Sequence, residues 1–297
     1  MFKNTFKLFA AGFINVWKQL LYMFIIILIS VGLTILLALP VVEYIKASGF
    51  NEMMEEFISS VYVEPEHFAE NFSNVVTELW HLIGSGFHIY WANYLIIILL
   101  LVFVIKMMYN ISYYAIGCVV DGKMSSFVDY SYTNKLVANF KANISYSFFN
   151  YIISIPFYFA MVGAGYIYGK LANNLISALA ALPLLGFMIL VIRVFMKTLF
   201  VGMIPCMVTD GVKARHSFIA GIKKIKPIFF KVLSNEVLLS LIEFGAILFF
   251  GIFTLGAGLI IVIPMIPVLE TTFSFVCYYT ATKKRYYLNE NLVVNPL

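Results

Sequence analysis

Charge is what this sequence has least of. Only 12% of its 297 residues are Asp, Glu, Lys or Arg, against 62% hydrophobic, and the mean hydropathy is +0.93. That balance excludes an ordinary soluble domain and identifies a polytopic membrane protein. Cysteine is scarce too. Cys118, Cys206 and Cys277 each lie near the end of an apolar run, and none falls in the acidic stretch 42–90, so no disulfide framework is expected. No His or Cys stands near them at ligand spacing, which argues against a metal site. The short alternating segments of a membrane barrel are absent. So are the phosphate loop G-x-x-x-x-G-K-[ST], the zinc motif H-E-x-x-H and the nucleophile elbow G-x-S-x-G. A non-enzyme without metal or cofactor is expected, with no nucleic acid among its partners.

What the chain has instead is six apolar runs, each about 20 residues and long enough to cross a hydrocarbon core of roughly 30 Å as a helix. They predict spans near Leu21–Val41, Trp91–Tyr109, Phe148–Tyr166, Leu175–Phe195, Val237–Phe253 and Ala257–Tyr279. The fold class expected is therefore an all-α membrane bundle, one integral domain over 1–297. The first run follows Lys3, Lys7 and Lys18, exceeds a signal-peptide core and lacks a small-x-small cleavage site, so it reads as a retained span. The second and fourth runs continue apolar to Val120 and Val208, and Pro205 permits a bend in the fourth.

Lysines and arginines set the expected orientation. With the N-terminus inside, only Lys46 and Lys170 fall outside, giving both termini cytoplasmic. The first outer segment, 42–90, carries Glu43, Glu52, Glu55, Glu56, Glu64, Glu66, Glu70 and Glu78 against one lysine. It is too long for a plain connector. Asn51 reads as the cap of one helix and Pro65 as an early residue of a second. In the second, Phe68, Phe72, Val75, Leu79 and Leu82 form an apolar stripe, and Gly84-Ser85-Gly86 reads as a turn before the next span. The stripe either folds onto its own bundle or docks an envelope partner through Phe68, Phe72 and Leu79. His67-x-x-Glu70 and Glu78-x-x-His81 have metal-ligand spacing, but about 21 Å of helix separates the two histidines, so no metal site is assigned.

Three basic amphipathic stretches each lead into a span: Phe2, Phe6, Phe9, Phe13 and Val16; Val137, Phe140 and Ile144; and Phe218, Ile222, Ile225 and Phe229. Their lysines are placed to meet anionic lipid headgroups at the cytoplasmic surface. Asp121-Gly122 and Asp210-Gly211 follow apolar helices at related spacing, each preceding a Ser-Phe pair. Each reads as a turn, the Gly allowing positive φ and the Asp capping the next helix. The layout is a threefold repeat of amphipathic helix, span, span.

Charged residues inside spans need partners or a wet cavity. They are Lys106, Arg193, Lys197, Glu236, Glu243 and Glu270. Glu236 and Glu243, seven apart, share a face with Ser240 between them. Depth counted from the cytoplasmic span ends puts Arg193, Glu243 and Glu270 at a similar level and Lys197 and Glu236 nearer the inner surface, so interhelical pairs such as Arg193 with Glu243 and Lys197 with Glu270 are expected. Arg193, Lys197, Glu236, Glu243 and Glu270 form the candidate binding cluster, serving either as static ion pairs or as a proton or substrate relay.

The segments "FKLFAAGFINVWKQLLYMFIIILIS" and "MVTDGVKARHSFIAGIKKIKPIFF" resemble the YciC-like bacterial six-span proteins and the membrane domain that precedes some glycerophosphodiester phosphodiesterases. There too an amphipathic S-F-x-x-x run leads from a cytoplasmic turn into a span. The resemblance is one of layout and implies no catalytic residue. With the Lys, Asn, Ile, Phe and Tyr bias of an AT-rich bacterial genome, it places the protein in a bacterial plasma membrane. The expected role is non-catalytic assembly or maintenance of the cell envelope through protein or lipid contacts. The alternative is a secondary transporter or lipid-handling protein using the intramembrane charges.

Overall fold

The structure, a computed structural model, describes residues 1–63, 68–174 and 178–295. Its elements in order are α1 (Phe2–Ala11), α2 (Ile14–Ala47), α3 (Phe50–Val63), α4 (Phe68–Ser126), α5 (Tyr132–Ala138), α6 (Phe140–Asn174), α7 (Ala178–Phe200), α8 (Met203–Asp210), α9 (Ala214–Ile225), α10 (Phe229–Phe253), α11 (Leu259–Ala281), β1 (Tyr286–Asn289) and β2 (Leu292–Val294). This is an all-α membrane bundle. Among the described residues, six stretches are long and apolar enough to cross a membrane: Ile14–Leu36, Leu99–Ser126, Phe140–Lys170, Pro183–Asp210, Ala214–Phe253 and Leu259–Ala281. The short helices α1 and α5 each precede a pair of them, and α9 forms the start of the fifth.

The chain forms two compact units, one of Met1–Ile25 with Lys106–Leu297 and one of Ile26–Ile105. The first is organised around α11. Over half of its span, 56%, is buried, against 11% for the span in α6. Residues from Val268 to Tyr279 fill the core, and Phe275, Cys277 and Tyr278 have no exposed surface. The outer helices have the reverse of soluble amphipathicity. In α10, Glu236, Ser240 and Glu243 are buried, while Leu238, Leu241, Ile242 and Phe244 are exposed. An apolar face of that extent is suited to lipid, not water. Pro156, Pro183, Pro264 and Pro267 lie within helices, as packing neighbours permit in a bilayer.

Small residues bring the spans together. A Cβ on Gly117 of α4 would come within 2.6 Å of Ile204 in α8 and 3.1 Å of Phe275 in α11. Gly202, at the break between α7 and α8, and Gly221 of α9 meet backbone to backbone, so a Cβ on either would lie 2.6–2.7 Å from main-chain atoms of the other. The fourth span does bend, but at Val201-Gly202; Pro205 sits in the first turn of α8, where its missing N–H costs little.

The two Asp-Gly pairs behave differently from each other. Gly211 has φ +67° and ends α8 as a left-handed cap. Gly122 lies inside α4, which runs on to Ser126, and its lack of a side chain admits the Tyr130 ring. Neither Asp caps the following helix, because both carboxylates are engaged elsewhere. Asp121 accepts from Thr209 and Tyr279, each at 2.8 Å. Asp210 accepts from Lys284 at 2.7 Å, and from Lys224 and Tyr278. The consecutive tyrosines of α11 thus fasten the ends of α4 and α8. Ser131 caps α5, and Lys213 precedes α9 without a side-chain cap.

Two of the amphipathic helices use their apolar faces within the protein. α1 stops at Ala11, so the stripe foreseen from Phe2 to Val16 is broken at Gly12, which leaves Phe13 exposed. Phe9 is buried, and Asn4 donates to Tyr286 of β1 at 2.8 Å. α9 buries Ala214, Ser217, Gly221 and Ile225, a seam of mostly small residues. In contrast Val137, Phe140 and Ile144, around α5, are exposed. All three cysteines are free and buried.

In the second unit α3 and the start of α4 form a hairpin, with the Phe57 and Phe72 rings 6.2 Å apart and Asn71 donating to Ser60 at 3.0 Å. Asn51 lies inside α3, which begins at Phe50 after Gly49 at φ +83°, and is therefore not its cap. Gly84-Ser85-Gly86 is helical, part of the 59-residue α4. Isolated glycines weaken a helix without breaking it, and no proline follows to stop it. Pro65 and His67 lie outside the described residues, as do the side chains of Phe68 and Glu70.

Candidate functional site: an intramembrane charge cluster and its cavity

A four-residue step along α7 puts Arg193 and Lys197 on one face. A seven-residue step along α10 does the same for Glu236 and Glu243, and α11 supplies Glu270. The structure brings all five together. Lys197 is the centre, its Nζ 2.5 Å from Glu270 Oε1, 2.7 Å from Glu243 Oε2 and 3.6 Å from Glu236 Oε1. Arg193 sits at the edge, 3.4 Å from Glu243 and 3.8 Å from Glu270. The Arg193–Glu243 and Lys197–Glu270 pairs foreseen from depth are both present, but as parts of one network, not as separate pairs. On α4, Tyr113 donates to Glu270 Oε2 at 2.7 Å, and its hydroxyl lies 3.5 Å from that of Tyr109.

The network joins α4, α7, α10 and α11, yet it is incompletely satisfied. Glu236 Oε1, Glu243 Oε1, Ser240 Oγ and Thr271 Oγ1 are buried without a hydrogen-bond partner. Orphaned acceptors of this kind are costly in an apolar surround. They border space. A cavity of about 380 Å³ opens beside the cluster, lined by Glu236, Glu270, Thr271, Arg193 and Lys197 on one side. On the other are Lys106, Tyr109 and Asn110 of α4 and Tyr146, Asn150, Ser154 and Tyr158 of α6. Asn110 donates to Asn150 at 2.9 Å and Asn150 to Tyr146 at 3.2 Å, so this wall is held by its own hydrogen bonds.

Lys106 is the exception. Its Nζ stands 5.8 Å from the Tyr109 ring and 5.9 Å from the Tyr158 ring. Among the described residues no carboxylate is within ion-pair reach of it. A lysine within a span costs roughly 2.5–3.5 kcal/mol on insertion scales, and cation–π contacts at the limit of their range offset little of that.

Sequence reasoning marked every charge in the site but missed the Tyr, Asn, Ser and Thr residues that line the cavity. The available signal was polar residues inside spans, Asn110, Asn150 and Ser154 above all. Of the candidate docking residues, Phe72 is half exposed yet faces Phe57, and Leu79 is partly buried. Glu78 and His81 are on α4, one turn apart.

No protein-family model, curated protein or solved structure matches this chain.

Proposed function

We propose that this is a non-catalytic lipid-handling protein of a bacterial plasma membrane, with both termini cytoplasmic, which binds an amphiphile in the intramembrane cavity as part of envelope maintenance. The observation that carries this reading is the cavity itself. Static ion pairs would need no cavity beside them, and partnerless acceptors would only weaken a purely structural network. The lining has acceptors, hydroxyls and cations, and the carboxylate that its Tyr113 hydroxyl meets, Glu270, is already neutralised by Lys197 at 2.5 Å. Binding and passage are therefore favoured over covalent chemistry.

Docking of an envelope protein through Phe68, Phe72 and Leu79 has less support, since Phe72 is engaged within the α3–α4 hairpin. Lysines near α5, with the exposed Val137 and Phe140 beside them, provide contact with anionic headgroups at the membrane surface.

Gentle extraction of the protein from its native membrane, followed by mass spectrometry of the intact complex, tests the reading. One lipid bound per chain, released by Arg193→Gln, is the expected outcome. A stoichiometric protein partner lost on Phe72→Ser, with no bound lipid, would replace lipid handling by docking.

A further inference from the structure

Two of the three cations on the cavity wall, Lys106 and Arg193, are under-used by the protein. Lys106 has three N–H donors and, among the described residues, no acceptor for them. Arg193 approaches carboxylates that Lys197 already holds more closely, and its side chain is 41% exposed. Of its five N–H donors, one makes a hydrogen bond, at the long distance of 3.4 Å. The same cavity is lined by Glu236 and Thr271, each at least 97% buried and each with an oxygen that has no hydrogen-bond partner. Surplus donors carrying positive charge, and residues with unpartnered acceptors, therefore line one partly open cavity.

We propose that the cavity binds the phosphate headgroup of a lipid, with the phosphate taken by Lys106 and Arg193 and a headgroup hydroxyl donating to Glu236 and Thr271. This rests on the lipid-handling reading and names its ligand. Phosphate fits better than a planar carboxylate because its two anionic oxygens and two ester oxygens surround a tetrahedral centre, so a guanidinium fork and an ammonium can approach it from different directions. A lipid fits better than a free anion because the cavity lies between spans whose outer surfaces, such as Phe159, Val162 and Phe187, are apolar and exposed. Binding supplies Lys106 with the counter-charge it lacks in the protein.

The test uses the purified, delipidated full chain in detergent, with binding measured by calorimetry and by the shift in unfolding temperature. Four probes are compared: dihexanoyl phosphatidylglycerol, dihexanoyl phosphatidylcholine, dihexanoylglycerol and inorganic phosphate. Phosphatidylglycerol, with phosphate and hydroxyls, is expected to bind at least about tenfold more tightly than dihexanoylglycerol, which lacks the phosphate, and more tightly than phosphatidylcholine, which lacks the hydroxyls. Lys106→Met and Arg193→Gln should each weaken phosphatidylglycerol about tenfold and leave dihexanoylglycerol unchanged. Lys106→Arg should retain binding. Lys106→Met should unfold at no lower temperature than the wild type, because it removes an uncompensated charge.

Equal binding of phosphatidylglycerol and dihexanoylglycerol would overturn the phosphate site while leaving lipid handling intact. Inorganic phosphate binding as tightly as the lipid would keep the phosphate site and overturn lipid handling. Phosphatidylcholine matching phosphatidylglycerol would overturn the role of Glu236 and Thr271. Full affinity in Lys106→Met, or a lower unfolding temperature in that variant, would overturn the role of Lys106.

Discussion

Two polar networks hold this bundle together, and they differ in how completely they are satisfied. At the ends of α4, α8 and α11, Asp121 accepts through Oδ1 from Thr209 and Tyr279, Asp210 accepts through both oxygens from Lys224, Lys284 and Tyr278, and among the described residues neither carboxylate has a buried oxygen without a partner. Within the spans, three glutamates share Lys197 and the edge of Arg193, leaving oxygens without hydrogen-bond partners beside a cavity that also exposes Lys106. The first is a fastening. The second leaves polar atoms unmatched, and the lipid-binding proposal rests on that difference, because a buried network that serves stability alone is improved by filling its space and pairing its atoms.

Four substitutions sharpen that contrast. The largest effect is expected from Lys197→Met, which leaves Glu236, Glu243 and Glu270 together without their central ammonium. Loss of about 3–5 kcal/mol should appear as a collapse of thermal stability in detergent. Gly221→Ala comes next. Its methyl would meet the Gly202 backbone at 2.6–2.8 Å, with main chain and no movable side chain in the way, and a cost of about 1–3 kcal/mol should be read by thermal unfolding. Asp210→Asn should cost about 1 kcal/mol in the same assay, since Lys224 and Lys284 are each 38% exposed and water substitutes for part of what they lose. The smallest loss, none at all, is expected from Lys106→Met, which removes a charge that no carboxylate compensates.

Much of this was legible in the sequence because a charge in an apolar run is conspicuous. Counting residues from the span ends put Arg193, Glu243 and Glu270 at one level with Lys197 and Glu236 somewhat nearer the inner surface, and the structure puts all five within one network. Which cation would be the centre was not legible, since that depends on the rotation of α7 against α10 and α11, set by packing. The uncharged wall of Tyr109, Asn110, Asn150 and Ser154 was overlooked for a related reason: such residues occur singly in spans for many structural reasons, and only their convergence distinguishes these. Local signals misled where the context was helical on both sides, as at Asn51 and Gly84-Ser85-Gly86. The β1–β2 hairpin went unforeseen although Asn289-Glu290-Asn291 stands between two strand-forming triplets, a fair turn signal.

The most direct test of the difference between a fastening and a site is the thermal unfolding of delipidated wild type, Lys197→Met and Lys106→Met side by side. A large loss is expected for Lys197→Met and, for Lys106→Met, an unfolding temperature equal to or above that of the wild type. Comparable losses in both variants would contradict that distinction, showing Lys106 to be as structural as Lys197 and the cavity to be no more than a gap in the packing.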